Sequence, residues 1–363
     1  MANPAISRHL ALDVFRGLTL ALMIIVNTPG GEVSYAPLEH AAWHGFTLTD
    51  LVFPSFLFVV GAAIALSSQK FARHGEAYFL KRVCKRGALI FLCGYLLYWF
   101  PFFTPEGTLA PLANTRIMGV LQRIGLCYVL ASLVVRYSGW RGAAAFSVAA
   151  LLAYWVILVW FGDLTLGGNA VRVLDLQVLG APHMYAGDGI AFDPEGILST
   201  LPSIVNVLAG YGAALWVQQR RPVAALAAAG AACLLLAYGW DTLLPINKKL
   251  WTSSFVVLTV GWDLIILAVL VAIIDIRGMR TGTYFFEVFG KNTLFIYLLA
   301  DILVVLMARL QVGGETLYRW LYRSLFLSWS SPYNASLMFA LAYMLACWLV
   351  AFLMDRRAIY IRL

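Results

Sequence analysis

The stretch NTPGGEVSYAPLEHAAWHGFTLTDLVFP, residues 27–54, decides how this chain is read, because it packs polar and ionisable groups between two nearly unbroken hydrocarbon runs. Leu10 to Val26 precedes it and Leu51 to Leu66 follows it. As helices rising about 1.5 Å per residue, these runs suit a bilayer core of about 30 Å. The polar stretch therefore lies at a membrane face, with His40 and Asp50 near the point where the chain re-enters lipid.

Composition extends that reading to the whole chain. With 62% hydrophobic and 12% charged residues, it departs from soluble domains, whose charged share is about 25%. Ten apolar runs predict ten spans, at residues 11–27, 48–68, 82–103, 115–135, 143–161, 198–217, 223–240, 252–274, 289–311 and 333–353. No linker is polar enough to separate domains, so residues 1–363 are expected to form one all-α polytopic membrane bundle.

Charge orients that bundle. With the N-terminus in the cytoplasm, the inner loops carry Arg8, Lys70, Arg73, Lys81, Arg82, Lys85, Arg86, Arg136, Arg141, Arg220, Arg221, Arg277, Arg280, Arg356, Arg357 and Arg362. The outer loops carry only Arg172, Lys248, Lys249, Arg319 and Arg323. The positive-inside rule then places both termini in the cytoplasm and His40 outside. This asymmetry accounts for the net charge of +8 without a nucleic-acid partner, for which no basic module with interleaved aromatics is present.

The first run lacks a small-residue cleavage site and is expected to stay in the protein. Cys84, Cys93, Cys127, Cys233 and Cys347 fall in or at the inner ends of predicted helices, which argues against disulfides and thiolate zinc sites. His40 and His44 are four apart, but no third ligand follows at a recognisable spacing, so no metal is expected.

Charges inside spans need a reason, since each costs about 2.5–3.5 kcal/mol near the bilayer centre on insertion scales. Asp13 and Arg16 lie one turn apart and can neutralise each other. Arg123, with Gln122 beside it, has no such neighbour and should face a polar cavity that suits an anionic ligand, with Arg116 as a second candidate. Lys291 can snorkel to the interface. The longest loop, 162–199, carries Asp188, Asp193 and Glu195 on the His40 side. His40 itself shares a short segment with Asn27, Trp43 and Asp50: a base, a neutral hydrogen-bonding amide and an orienting carboxylate.

Six segments together carry a resemblance: DVFRGLTLALMIIVNTPGG (13–31), HAAWHGFTLTDLVFPSFLFVVGAAIAL (40–66), GVLQRIGLCY (119–128), DPEGILSTLPSIVNVLAG (193–210), PINKKLWTSSFVV (245–257) and FGKNTLFIY (289–297). In this order the chain resembles the transmembrane N-acetyltransferase family of heparan-α-glucosaminide N-acetyltransferase. Without the extra N-terminal luminal region and helix of the lysosomal form, it looks like the compact bacterial members called NagX, in the inner membrane. The resemblance implies acetyl transfer from cytoplasmic acetyl-CoA, as co-substrate, to a glucosamine amine on the other side, and makes a homodimer an expectation. The family's essential histidine falls on His40, its asparagine on Asn27 and its aspartate on Asp50. Arg123 falls in the G-V-L-Q-R segment, and His44 has no counterpart in the pattern.

On this reading His40, whose side chain ionises near ~6.5 when unperturbed, accepts the ammonium proton. Asp50 fixes its tautomer, and Asn27 hydrogen-bonds the developing oxyanion, a contribution of about 2.7–4 kcal/mol elsewhere. Arg82, Arg86, Arg116, Gln122 and Arg123, with Lys81 and Lys85, are the expected groups at a cytoplasmic donor mouth. Trp43, Asp188, Asp193 and Glu195 are the expected acceptor contacts. Direct transfer is preferred over a transient acetyl-histidine. Two other classes fit the same charges: a proton-coupled transporter of amino sugars, and an O-acyltransferase of an envelope glycan.

Overall fold

The computed structural model describes residues 9–71, 75–104 and 106–361. Arg8, Arg73 and Arg362, counted in the charge asymmetry, lie outside these residues, as does the side chain of Lys70.

In hydrocarbon every backbone N–H and C=O must find a partner within its own segment, and the apolar runs accordingly fold as helices. In chain order these are α1 (Leu10–Asn27), α2 (Leu48–Phe71), α3 (Glu76–Trp99), α4 (Val120–Trp160), α5 (Ala170–Val178) and α6 (Thr200–Gln218). There follow α7 (Val223–Asp241), α8 (Ser253–Leu270, prolonged by a π turn at Val271–Ile276), α9 (Thr283–Lys291), α10 (Thr293–Arg309), α11 (Leu317–Tyr322) and α12 (Pro332–Arg356). Among the described residues the sheet content is one short hairpin, Gln311–Val312 against Glu315–Thr316. The protein is an all-α polytopic membrane bundle.

Seven described helices are long and apolar enough to span a membrane, eight if the bent α9–α10 pair is one span. The ten expected runs fall on these helices with two differences, at 82–103 and 289–311; the first lies on α3, which is not among those seven. The runs at 115–135 and 143–161 both lie on the 41 residues of α4, as two helices that meet at a kink. Unbroken, it would measure about 60 Å, twice a hydrocarbon core. Gly139, at φ 63 and ψ −170, breaks it into two span-length halves, and only glycine adopts that backbone without a Cβ penalty. The run at 289–311 is instead two helices bent by 83° at Asn292. Lys291 stands at this bend, paired with Asp355 at 2.7 Å, and Asn292 binds the backbone of Ile359 and Ile361. Arg16 and Asp13 form the expected pair at 3.2 Å.

Water cannot drive helices together inside lipid, so close backbone approach at small residues does so. At the α2–α6 contact a Cβ on Gly210 would stand 1.8 Å from the Phe58 carbonyl oxygen, and one on Gly61 1.8 Å from that of Val207. This interface packs the middle of α2, the helix that Asp50 opens, against α6. Gly210→Ala should therefore destabilise the bundle by about 1–3 kcal/mol, while Gly212→Ala, which meets nothing within 4 Å, should not. Thermal unfolding of both variants in one detergent compares them; equal midpoints would remove the close approach as a determinant.

Candidate active site

Three loops close one end of the bundle: 28–47, 162–199 with α5 inside it, and 242–252. Trp43 Nε1 donates to the Leu164 carbonyl at 2.8 Å, and its ring packs on Phe192 at 5.8 Å. The Gly45 N–H donates to Ile246 O at 2.8 Å, and Asn247 Nδ2 lies 3.3 Å from His44 Nδ1. Lys249 bonds Asp188 at 2.5 Å. Each loop thus holds the other two.

Asp50 organises the first loop. As the third residue of α2 it accepts the Thr47 N–H at 3.0 Å, the reciprocal half of a capping box written T-L-T-D in the sequence. It also accepts Ala41 N–H at 3.2 Å and Thr47 Oγ1 at 3.1 Å. Its other oxygen lies 2.6 Å from His40 Nδ1. Asp50 is fully buried while the His40 side chain is 45% exposed. A proton on Nδ1 satisfies the carboxylate and leaves Nε2 as a free acceptor facing out of the protein. Trp43 and His44 sit three and four residues beyond His40 and line an open depression of about 460 Å³ with Leu164, Thr165, Asp188 and Lys249.

Deeper in the same end lies a charged cluster. Arg116 grips Asp193 with two bonds, 2.9 and 2.6 Å, adds Glu195 at 2.7 Å, and donates to Tyr98 Oη at 3.0 Å. Its guanidinium also lies over the Tyr98 and Tyr185 rings. Burial works against that charge, but Asp193 and Glu195 outweigh it and hold Arg116 above the usual arginine range. Lys248 approaches Glu195 at 3.9 Å. Burial alone would raise the Glu195 carboxyl, yet Lys248, Arg116 and Arg123 pull it down to about 2.

Arg123 is fully buried on α4, with Nη2 donating to the Gly196 carbonyl at 3.2 Å and to Ser199 Oγ, and with Trp251 under its guanidinium at 4.9 Å. Its Nε and Nη1 have no partner, nor do Nε2 and Oε1 of the fully buried Gln122 next to it. Unmatched polar atoms on this scale mark a place for a ligand or water, because each costs about 1–3 kcal/mol if left bare. Phe53, one turn past Asp50 on α2, packs on Trp251 at 5.2 Å. The His40–Asp50 pair and the Arg123 cradle therefore flank a single aromatic contact.

These positions correct three expectations. Arg116 and Arg123 do not join Arg82 and Arg86 at a common mouth: they lie toward the His40 end, whereas Arg82 and Arg86 sit exposed in the first half of α3, on Tyr78 and Tyr128. Asp193 and Glu195 are turned inward onto Arg116 instead of outward to an acceptor, and of the three acidic loop residues only Asp188 lines the depression with Trp43. Asn27 ends α1 exposed, outside the hydrogen-bond network of His40 and Asp50. Thr47, Lys248, Ser199 and Trp251 are the residues that sequence reading left out; only Thr47 had a local signal, the T-x-x-D cap.

The helices, the buried charge and the half-exposed histidine on its buried aspartate define a membrane-embedded protein with a polar site at one face. A match to the family described as heparan-alpha-glucosaminide N-acetyltransferase, catalytic, covers residues 8–244, and the chain belongs to that family. It is similar to the heparan-alpha-glucosaminide N-acetyltransferases of Mus musculus, at 29% identity over 82% of this chain, and of Homo sapiens, at 30% over 79%. The chain spans about half the length of these relatives, 54% and 52%.

Glu195 supplies a test of the cluster. Its folded value is depressed, so its contribution is present above the ordinary value of 4.5 and is lost as pH falls toward about 2. Glu195→Gln should cost about 3–5 kcal/mol at neutral pH by leaving Arg116 and Lys248 undermatched. It should also flatten the fall in unfolding midpoint between pH 5 and pH 2 relative to wild type. A variant as stable as wild type at pH 7 would contradict the cluster.

Proposed function

We propose that the protein transfers an acetyl group from acetyl-CoA, reached from the face opposite His40, to the amine of a glucosamine-type sugar at the His40 face. The observation that carries this reading is the pairing of a buried carboxylate with a half-exposed histidine, across one aromatic contact from a buried arginine that has two unpaired nitrogens. The family match supports the reaction class, and the charge asymmetry of the loops supports an inner membrane with His40 on its outer side.

The ammonium of the sugar gives a proton to His40 Nε2, and Asp50 stabilises the resulting imidazolium through Nδ1–H. The freed nitrogen lone pair attacks the thioester carbonyl carbon. As the C–N bond forms, negative charge gathers on the carbonyl oxygen, where the unpaired N–H groups of Arg123 are suited to receive it. Collapse breaks the C–S bond, and the thiolate leaves with the proton lost by the new amide nitrogen. The bare amide of Gln122 can pair with an amide of the pantetheine arm, offering one donor and one acceptor. Arg82 and Arg86, exposed in the first half of α3, are left to meet the coenzyme's phosphates. Trp43 and Asp188 receive the acceptor sugar, and Asn27 contributes an amide to substrate from the end of α1. Asp193 and Glu195 act through Arg116 and touch no substrate.

His40→Ala should abolish acetyl transfer while acetyl-CoA still raises the unfolding midpoint, because the base acts after the donor docks. Mass spectrometry of the product separates an amide from the ester of an O-acyltransferase, and uptake into liposomes without product would favour a transporter. Acetylated His40 after incubation with donor alone would replace direct transfer by a covalent intermediate.

Arg123 at the acyl end gives a second expectation. Arg123→Ala should lower turnover by about 100-fold or more, with acetyl-pantetheine and acetyl-CoA affected alike, since the phosphates lie elsewhere. A loss confined to acetyl-CoA would return Arg123 to a phosphate-binding role.

A further inference from the structure

Asp175, on α5, has no part in the chemistry above, yet it lies fully buried beneath the turn that seats Arg123. Its Oδ1 accepts the Ile197 N–H at 2.9 Å, and its Oδ2 has no partner. A Cβ on Gly196 would stand 1.8 Å from Oδ2, so carboxyl and turn are in direct contact. The carbonyl of that same Gly196 receives Arg123 Nη2. One side chain thus anchors both the backbone that positions Arg123 and the space beside it.

The charges around this turn do not balance. Arg116, Arg123 and Lys248 are three cations, and Asp193 and Glu195 two carboxylates. A neutral Asp175 leaves one positive charge over, on the arginine with free N–H groups; an ionised Asp175 cancels it. The groups facing the carboxyl are Asp193 from the turn and Arg123 and Tyr154 from α4.

We propose that Asp175 is a positioning residue that sets both the place of Arg123 and the net charge of its pocket, with the protonated carboxyl as the competent form. Burial raises this carboxyl to about 7, against the Ile197 bond, with Asp193 raising and Arg123 lowering it. Below that value the pocket keeps its excess positive charge for the developing oxyanion. Above it, the carboxylate draws Arg123 toward itself and competes with the thioester oxygen.

The kinetic part rests on the acetyl-transfer reading; the titration rests on the buried geometry alone. Asp175→Asn retains an oxygen for Ile197 and cannot ionise, so it should lack an alkaline fall in turnover that wild type shows near pH 7. Asp175→Ala, which frees the turn, should lower turnover by up to about 100-fold at every pH through misplacement of Arg123. A substrate-free arm follows from the sign of the shift. A raised carboxyl makes wild type lose stability as pH climbs from the ordinary 3.8 to about 7, then level off. Unfolding midpoints of Asp175→Asn in nanodiscs should fall less steeply over that range than those of wild type. A variant that keeps the wild-type slope overturns the proposal, as does a wild-type alkaline limb surviving in Asp175→Asn. If the slope lessens but wild type forms no acetylated product, the transfer reading fails and the assignment of Asp175 as the titrating anchor stands.

Discussion

Burying positive charge at one end of a lipid-embedded bundle is the constraint on which the rest of this structure depends. Two arginines enter α4 or its approach within eight residues: Arg123 is fully buried and Arg116 mostly so. A single buried ion is too costly to persist without partners. The loop 162–199 supplies them by folding inward: Asp193 and Glu195 meet Arg116, and the Gly196 carbonyl meets Arg123. The loop's acidic residues therefore have a fold to hold before they have a substrate to bind.

From that anchor the other loops take their places. Lys248 reaches Glu195 from 242–252, and the same segment holds Gly45 and His44 of the first loop. The His40 turn is then closed around Asp50 by three donors from its own chain. The position of Asp50 near the N-terminus of α2 adds the helix dipole to these bonds, which favours its ionised form as a partner for an imidazolium. Pro54 offers no N–H to the Asp50 carbonyl, so the first turn of α2 is held by side-chain caps more than by its own ladder. A precisely placed base thus depends on a charge cluster it never touches.

The membrane helices were legible because their signal is local: an apolar run long enough to span needs no partner to be recognised. The break at Asn292 was not, since the run 289–311 stays apolar through the bend and only the Lys291–Asn292 pair interrupts it. Asp50 with His40 was readable from proximity in sequence, ten residues apart. The inward turn of Asp193 and Glu195 was not, because their partner lies 77 and 79 residues away, and a carboxylate in a loop looks the same facing water as facing an arginine. Arg123 was flagged by the cost of its burial, which is a property of one residue, but the end of the bundle it serves depends on which loop covers it. Counting spans from the N-terminus would have put Arg116 and Arg123 at the His40 end. The expected charge on coenzyme A drew them to the other.

That placement changes what the length of the bundle is for. On the proposed reading the donor's phosphates stay with Arg82 and Arg86 while its acyl group reaches Arg123. Arg86 lies over Tyr128, five residues beyond Arg123 on α4, a rise of about 8 Å. A narrow arm can cross that distance between helices, whereas the charged end of the coenzyme cannot follow it into a low-dielectric interior. The two cation groups then have opposite duties. The exposed arginines can hold a full anion because water and salt already lower the cost of its charge. Arg123, kept partly unpaired and walled by Trp251 and Phe53, is reserved for a charge that exists only while the acetyl group is in transit.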